Sequence, residues 1–158
     1  MGKVLKTFTH GYAGAIARSL DDVVVSFPNK SPNPLAFGVP VALSQDKTGV
    51  VPFDGSTHTA ANFVGVTVRN PSKTPDTYGS NEGAYASNGL VDVLVRGHIV
   101  VAMDGSPGIG DAVAIRTSNG GFASGTGTGL ITLTNAHVTS TVDTVGMAEI
   151  LLNTRNIV

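Results

Sequence analysis

Apolar and polar residues alternate along several short segments of this chain, and glycine-rich turns separate them. In residues 63–69 three valines occupy alternate positions, and each is followed by a residue of the other face, Gly65, Thr67 or Arg69. A period of two is typical of a half-buried β-strand. Residues 90–103 show the same period as far as Gly97, which predicts a bulge or sharp bend inside a long strand.

Further short apolar runs predict more strands. These runs are residues 112–117, 130–134 and 145–152, with a hairpin formed by residues 39–43 and 50–53. Residues 145–152 include helix-favouring Met, Ala, Glu and Leu, but the brevity of the run and Gly146 favour a strand. Residues 13–20 are a modest helical candidate.

Strands at intervals of roughly ten residues, joined by glycine-rich turns, predict an all-β fold, a small β-barrel or β-sandwich. Residues 1–35 contain strand-like pieces but offer little core, so we expect an extended N-terminal arm and first strands there, and a body over residues 36–158. Residues 70–88 are polar and punctuated by Gly and Pro, which indicates one long loop.

Composition narrows the possible functions. Charged residues make up 13% of the chain, the formal net charge is −1, and cysteine is absent. A hydrophobic content of 41% argues against disorder, and the balanced charge argues against nucleic-acid binding. No apolar run has the ~20 residues that span a bilayer, so we expect no membrane partner. Without cysteine or a signal-peptide pattern, we expect synthesis and assembly in a reducing cytosol.

Catalytic and metal-binding motifs are missing from the sequence. The glycine run at residues 125–129 does not lie between a predicted strand and a predicted helix, as a phosphate-binding loop would. The four histidines, at 10, 58, 98 and 137, are not spaced as metal ligands are. Asp21 and Asp22 are adjacent, so on a strand their side chains point to opposite sides and cannot act together as a paired acid and base. We therefore expect no enzyme activity, no metal site and no cofactor.

The remaining candidates are contact residues. Lys3, Lys6 and Arg18 give the arm a mild positive bias beside Phe8 and Tyr12. Such an arm could dock on an acidic or strand-edge surface of a partner, or it could be a solvated tail. The 70–88 loop adds two aromatic candidates, Tyr78 and Tyr85.

The order of several short motifs resembles the structural cement proteins of tailed-bacteriophage capsids. The motifs are GYAGAIAR (11–18), FGVPV (37–41), FVGVTV (63–68), VLVRG (93–97), GDAV (110–113) and GMAEIL (146–151). The resemblance covers nearly the whole chain. It implies a small β-barrel or β-sandwich that binds outside the major capsid shell and reinforces it, usually as a symmetric oligomer.

This resemblance leads to a specific functional hypothesis. The chain is expected to be a capsid cement or decoration protein that is made in the host cytoplasm, lies on the virion exterior and bridges neighbouring capsomers. Its partners would be the major capsid protein and further copies of itself, as a dimer or trimer. The alternative is a virion-surface module that binds a receptor or a glycan, which would need exposed aromatic side chains; Trp is absent and Tyr numbers 3.

Overall fold

The structure is a computed structural model that describes residues 9–73 and 83–156. Strands account for 48% of it, and the all-β prediction is confirmed. The strands are Ile16–Pro28 (β1), Leu35–Ala36 (β2), Pro40–Leu43 (β3), Val50–Pro52 (β4), Phe63–Thr67 (β5), Ala84–Tyr85 (β6), Leu90–Ala102 (β7), Ala112–Arg116 (β8), Phe122–Ser124 (β9), Leu130–Val138 (β10) and Met147–Leu152 (β11). Two short 3-10 helices cover Ala60–Asn62 and Pro71–Lys73.

Nine of these strands form one sheet, which curls through 271° as a half-barrel. The strand order is β4-β3-β5-β7-β11-β10-β8-β9, with β1 also paired to β7. Strands β2 and β6 form a separate two-stranded sheet. The curl resolves the two predicted architectures in favour of a barrel-like one.

Strand β7 is the centre of this arrangement because it has three partners. Leu94 pairs with both β1 and β5, and Ile99 pairs with both β1 and β11. Strand β1 therefore follows one edge of β7, while β5 and β11 share the opposite edge. The two halves of the sheet diverge from this shared edge.

Buried side chains form two clusters. The main core contains Ala42, Phe53, Phe63, Val66, Leu94, Ile99, Val101, Met103, Val113, Ile115, Phe122, Leu133, Ala136, Val138, Ala148, Ile150 and Leu152. The second core contains Leu35, Phe37, Val41, Val50, Val64, Tyr85, Val91, Val93 and Val95. Apolar burial on this scale is the chief source of stability for a domain of this size.

Gly97 changes the phase of β7 between the two cores. Before it, the odd-numbered residues Val91, Val93 and Val95 belong to the second core; after it, the odd-numbered Ile99 and Val101 belong to the main core. Gly97 has φ +120°, and the Asp22 carboxylate lies against it and accepts a hydrogen bond from the His98 N–H (3.2 Å). The strand continues through Gly97, so the irregularity expected there takes the form of this change of phase rather than a break.

The helical prediction for residues 13–20 is wrong. Strand β1 begins at Ile16, and the residues before it already bond to β7. The Gly14 N–H donates to the Val100 carbonyl, and the Val100 N–H donates to the Ala15 carbonyl. A tertiary ladder thus overrides a weak local preference for helix.

The half-buried prediction for residues 63–69 is also wrong, because all five residues of β5 are buried. Strand β3 pairs with Gly65 and then with Phe63, which leaves Val64 as an extra residue between them. This irregularity places Val64 in the second core and Val66 in the main core. The strand lies between the two clusters and has no solvent face.

The first 35 residues contribute more to the body than the sequence suggested. Val23, Val25 and Phe27 of β1 pack against the second core, and Leu35 is fully buried inside it. The division of the chain between residues 35 and 36 stays a prediction.

Candidate contact surface

A tight crossing of two glycines attaches the N-terminal segment (residues 9–15) to the sheet. The Gly14 N–H donates to the Val100 carbonyl (2.8 Å), and the Gly14 carbonyl accepts from the Arg69 N–H (2.8 Å). Beside it, the Gly38 N–H donates to the Thr67 carbonyl (2.8 Å). A Cβ on Gly14 would lie 2.8 Å from the Gly38 nitrogen, so no side chain fits here. Two of the motifs that carry the resemblance to the cement proteins, GYAGAIAR (11–18) and FGVPV (37–41), contact each other at this glycine crossing.

Tyr12 lies on the surface directly before this crossing. The Arg69 guanidinium carbon lies 4.4 Å from the centroid of the Tyr12 ring and 6.0 Å from that of Phe37. A cation over an aromatic face is attracted by the electron-rich ring. Tyr12 is therefore a partly exposed aromatic side chain that a fixed cation holds in place.

His10 anchors the same segment to the loop between β10 and β11 (residues 139–146). The His10 N–H donates to Asp143 Oδ2 (2.8 Å), and His10 Nε2 lies 2.9 Å from the Thr141 carbonyl oxygen. Asp143 Oδ1 also accepts from the N–H groups of Val145 and Met147, each at 2.9 Å. Burial raises the pKa of Asp143, but the three backbone hydrogen bonds outweigh burial and hold that pKa below its usual value.

A shallow apolar hollow of about 400 Å³ lies between the N-terminal segment and this loop. Tyr12, Val145 and Met147 line it, and the Val145 side chain is 59% exposed. An anchored chain on one side and a hydrogen-bonded turn on the other give the hollow fixed walls.

The turn between β7 and β8 (residues 103–111) lies at the same end of the sheet. The Met103 N–H donates to the Gly146 carbonyl (3.0 Å), and the Gly110 N–H donates to the Val138 carbonyl (2.8 Å). Ile109, between two glycines in this turn, is 71% exposed. We call residues 9–12, 103–111 and 139–147 the end surface; it displays apolar side chains at three separate positions.

Arg18, the one predicted contact cation among the described residues, has an ion-pair partner. Its Nε lies 3.0 Å from Glu149 Oε1, which also accepts from the Thr139 hydroxyl (2.8 Å). Glu149 is buried and Arg18 is exposed, so Arg18 covers a carboxylate while its own charge faces solvent. The pair ties β1 to β11.

Tyr85, predicted as a surface contact, is a core residue instead. Its side chain is 0% exposed, its ring packs edge-on against Phe37 with centroids 5.4 Å apart, and its hydroxyl donates to the Val68 carbonyl (2.6 Å). Burial, and then the nearby Asp92 carboxylate, raises the pKa of Tyr85 to about 12. The pairing of β6 with β2 draws this end of the polar loop into the second core.

The other predicted contacts, Lys3, Lys6, Phe8 and Tyr78, lie outside the described residues, and their role stays a prediction. The exposed apolar residues Leu20, Ile109 and Val145 were not predicted. A sequence signal did exist for Ile109, because an isoleucine between glycines in a turn cannot easily be buried. Leu20 and Val145 carried no comparable signal.

The described residues offer little for catalysis or metal binding. No group of three or more His, Asp or Glu side chains within residues 9–73 and 83–156 could hold a metal ion. A cleft of about 620 Å³ between β3, β4 and the first 3-10 helix is lined by Gln45, Lys47 and His58, among others. His58 Nδ1 accepts a hydrogen bond from the Asp54 N–H (2.9 Å), so this ring nitrogen is engaged in a structural contact. In the described part of the chain, no helix is long and apolar enough to cross a membrane.

A family model described as "Structural cement protein (E217 gp24/Pam3 gp6)" matches residues 2–153 of this sequence. The chain belongs to the phage structural cement protein family. A solved structure titled "The capsid of Myoviridae Phage XM1" contains a chain with the same fold, at a TM-score of 0.75 and 16% identity, over 96% of this chain and 95% of that one. A search of curated proteins gives no significant match. The cement protein therefore has a structural role in the phage capsid, as the resemblance implied.

Proposed function

We propose that this cement protein binds the outside of the major capsid shell through its end surface and bridges neighbouring capsomers as a homo-oligomer. The observation that carries the proposal is the end surface itself, where Tyr12, Ile109 and Val145 stand exposed on backbone that is hydrogen-bonded in place. Rigid apolar side chains at an exposed site are typical of protein interfaces. The activity is binding alone, without catalysis.

The anchoring of the N-terminal segment supports the same proposal. His10 and Gly14 hold residues 9–15 on the body, so the described part of the chain begins at the end surface. Lys3, Lys6 and Phe8 would then reach the same partner, or its neighbour, from that point. Several weak contacts on one rigid body add through effective concentration, which suits a protein that reinforces a shell.

The glycan-binding alternative has less support. It relies on exposed aromatic side chains, and the burial of Tyr85 removes one of the three tyrosines from the surface. Tyr12 is engaged by Arg69, with its ring face occupied rather than open to a sugar. A glycan array without hits would agree with the cement role.

Binding to expanded heads that lack the cement protein tests the proposal. Ile109→Asp and Val145→Asp place charge on the end surface, and Thr128→Asp is the matched control on the exposed turn at the opposite end of β10. We expect the first two variants to lower occupancy on the heads and to reduce the rise in head melting temperature that wild type produces. The control should bind as wild type. Equal binding by all four proteins would refute the end surface as the docking site.

A deletion of residues 1–8 tests the arm separately. It leaves His10, Gly14 and β1 in place, so the body should unfold as in the full chain. We expect weaker decoration of the heads. Decoration and stabilisation equal to those of the full chain would exclude a role for Lys3, Lys6 and Phe8.

A further inference from the structure

The side chains of strand β1 are less buried than those of β7, the other long strand of the sheet. All of its described side chains, from Ile16 to Pro28, are exposed or half-buried. Strand β7 has the same length of 13 residues, and most of its side chains are buried. A strand of this length with so little cover is a candidate for contact with another molecule.

The backbone of β1 is also open along one edge. Strand β7 pairs with one edge, and the described residues contribute no strand to the other edge between Ile16 and Pro28. The next residues do find partners, because the Lys30 N–H donates to the Val50 carbonyl. Natural proteins protect exposed edges with charged side chains, proline or bulges; in β1 the charged residues Arg18, Asp21 and Asp22 and the irregular stretch lie before Val24, and proline comes at its last residue.

Apolar side chains accompany this open edge. Leu20 is 100% exposed, Ile16 and Val24 are exposed at the fourth positions on either side of it, and Leu90 is exposed beside Pro28. Leu20 lies in an irregular stretch of the pairing, in which β1 advances by five residues, from Arg18 to Val23, while β7 covers only two, from His98 to Arg96. From Val24 to Pro28 the ladder is regular. An open edge that carries no charged side chain from Val24 to Pro28 pairs readily with another strand.

We propose that β1 pairs antiparallel with β1 of a second copy of this chain, about a twofold axis near Val25. The inference deepens the homo-oligomer in the proposed function and rests on it. Pairing of a strand with its twofold mate is self-complementary in hydrogen bonds, and it would place Val24 opposite Ser26 of the other copy. Two half-barrels would then share one continuous sheet.

The charges at the two ends of β1 favour this orientation and this partner. Asp21 lies before the regular ladder, held by Arg96, and Lys30 lies just after it, 3.7 Å from Asp46. The midpoint between Asp21 and Lys30 falls beside Val25. Antiparallel pairing about that point brings each Asp21 towards the other copy's Lys30, whereas parallel pairing would bring like charges together.

Because the chain has no cysteine, a single cysteine substitution can form a disulfide only between two copies, and so reports a contact between them. Val24→Cys and Ser26→Cys are both exposed positions, and Ile109→Cys is an exposed control on the end surface. We expect a mixture of the Val24→Cys and Ser26→Cys proteins to form disulfide-linked dimers several-fold faster than either protein alone. Cross-linking no faster than the Ile109→Cys control, or equal cross-linking by every variant alone, would overturn the proposal.

Sedimentation velocity provides an independent measurement. We expect wild type to be a dimer, Val24→Lys to raise the dimer Kd by at least about tenfold, and Ile109→Lys to leave it unchanged. Lys30→Asp should weaken the dimer, and Asp21→Lys combined with Lys30→Asp should restore it, although the double variant loses the contact with Arg96 as well as the contact with Asp46. A monomeric wild type, or a double variant as weak as the single one, would contradict pairing through β1.

Binding of the wild-type protein to heads separates this inference from the proposed function. If wild type decorates heads but the β1 variants change neither cross-linking nor sedimentation, the pairing is wrong and the cement role stands. If wild type dimerises through β1 but does not decorate heads, the docking proposal is wrong and the pairing stands.

Discussion

Replacing Gly14 with alanine tests whether the glycine crossing holds the N-terminal segment on the sheet. Gly14 has φ +81°, and an added Cβ would lie 2.8–2.9 Å from backbone atoms of Gly38, Arg69 and Thr67. None of these is the far end of a flexible side chain, so the backbone itself would have to move. The change should therefore separate residues 9–15 from the body.

The expected magnitude follows from the hydrogen bonds at the crossing. Two bonds of Gly14 and one of Gly38 would be strained or lost, at about 1 kcal/mol each. The positive φ adds about 1–2 kcal/mol for alanine. Gly11→Ala is the matched control, since Gly11 also has a positive φ (106°) but has nothing within 4 Å of an added Cβ.

Urea unfolding of both variants measures the difference. We expect Gly14→Ala to lower the free energy of unfolding by about 3 kcal/mol more than Gly11→Ala, and to melt roughly 6–12 °C below it. Its decoration of heads should fall as well, because the end surface loses one wall. If the two variants unfold within about 0.5 kcal/mol of each other, the crossing does not fix the segment.

The remaining predictions concern single side chains. Tyr85→Phe leaves the Val68 carbonyl without its hydroxyl donor and should cost about 1–3 kcal/mol in chemical unfolding; a cost near zero would show that water replaces the donor. Asp143 has a lowered pKa in the folded protein, so its contribution to stability is present above the ordinary value of 3.8 and is lost as the pH falls through the lower folded value; Asp143→Asn should flatten the acid side of a melting-temperature profile. Arg18→Ala leaves the buried Glu149 carboxylate without its cation and should lower the free energy of unfolding by about 1–3 kcal/mol; a variant as stable as wild type in urea would show that the ion pair contributes nothing.

Local pattern predicted most of the strands because their periods are set by short-range geometry. Strand β7 shows this most clearly: alternation marked its first half, and Gly97 marked the point where the phase changes. A glycine inside an otherwise regular strand is needed where φ is positive and a neighbouring chain approaches closely, and the Asp22 carboxylate supplies that neighbour.

Other features depended on partners that are distant in sequence. Residues 13–20 carry a weak helical preference, which loses to a ladder with β7 more than 75 positions away. Tyr85 lies in a polar segment, so nothing local indicated that β2 would pair beside it and that Phe37 would pack on its ring.

The sequence by itself determined the all-β class, the positions of most of the strands and the family, because alternation, turn residues and motif order are local properties. Only the tertiary structure decided which surface is available. The exposure of Leu20, the open edge of β1 and the end surface that contains Ile109 and Val145 arise where strands curl and leave neighbours unpaired. The exposure of a residue depends on what packs against it, and that is set by pairing between strands distant in sequence rather than by the adjacent residues.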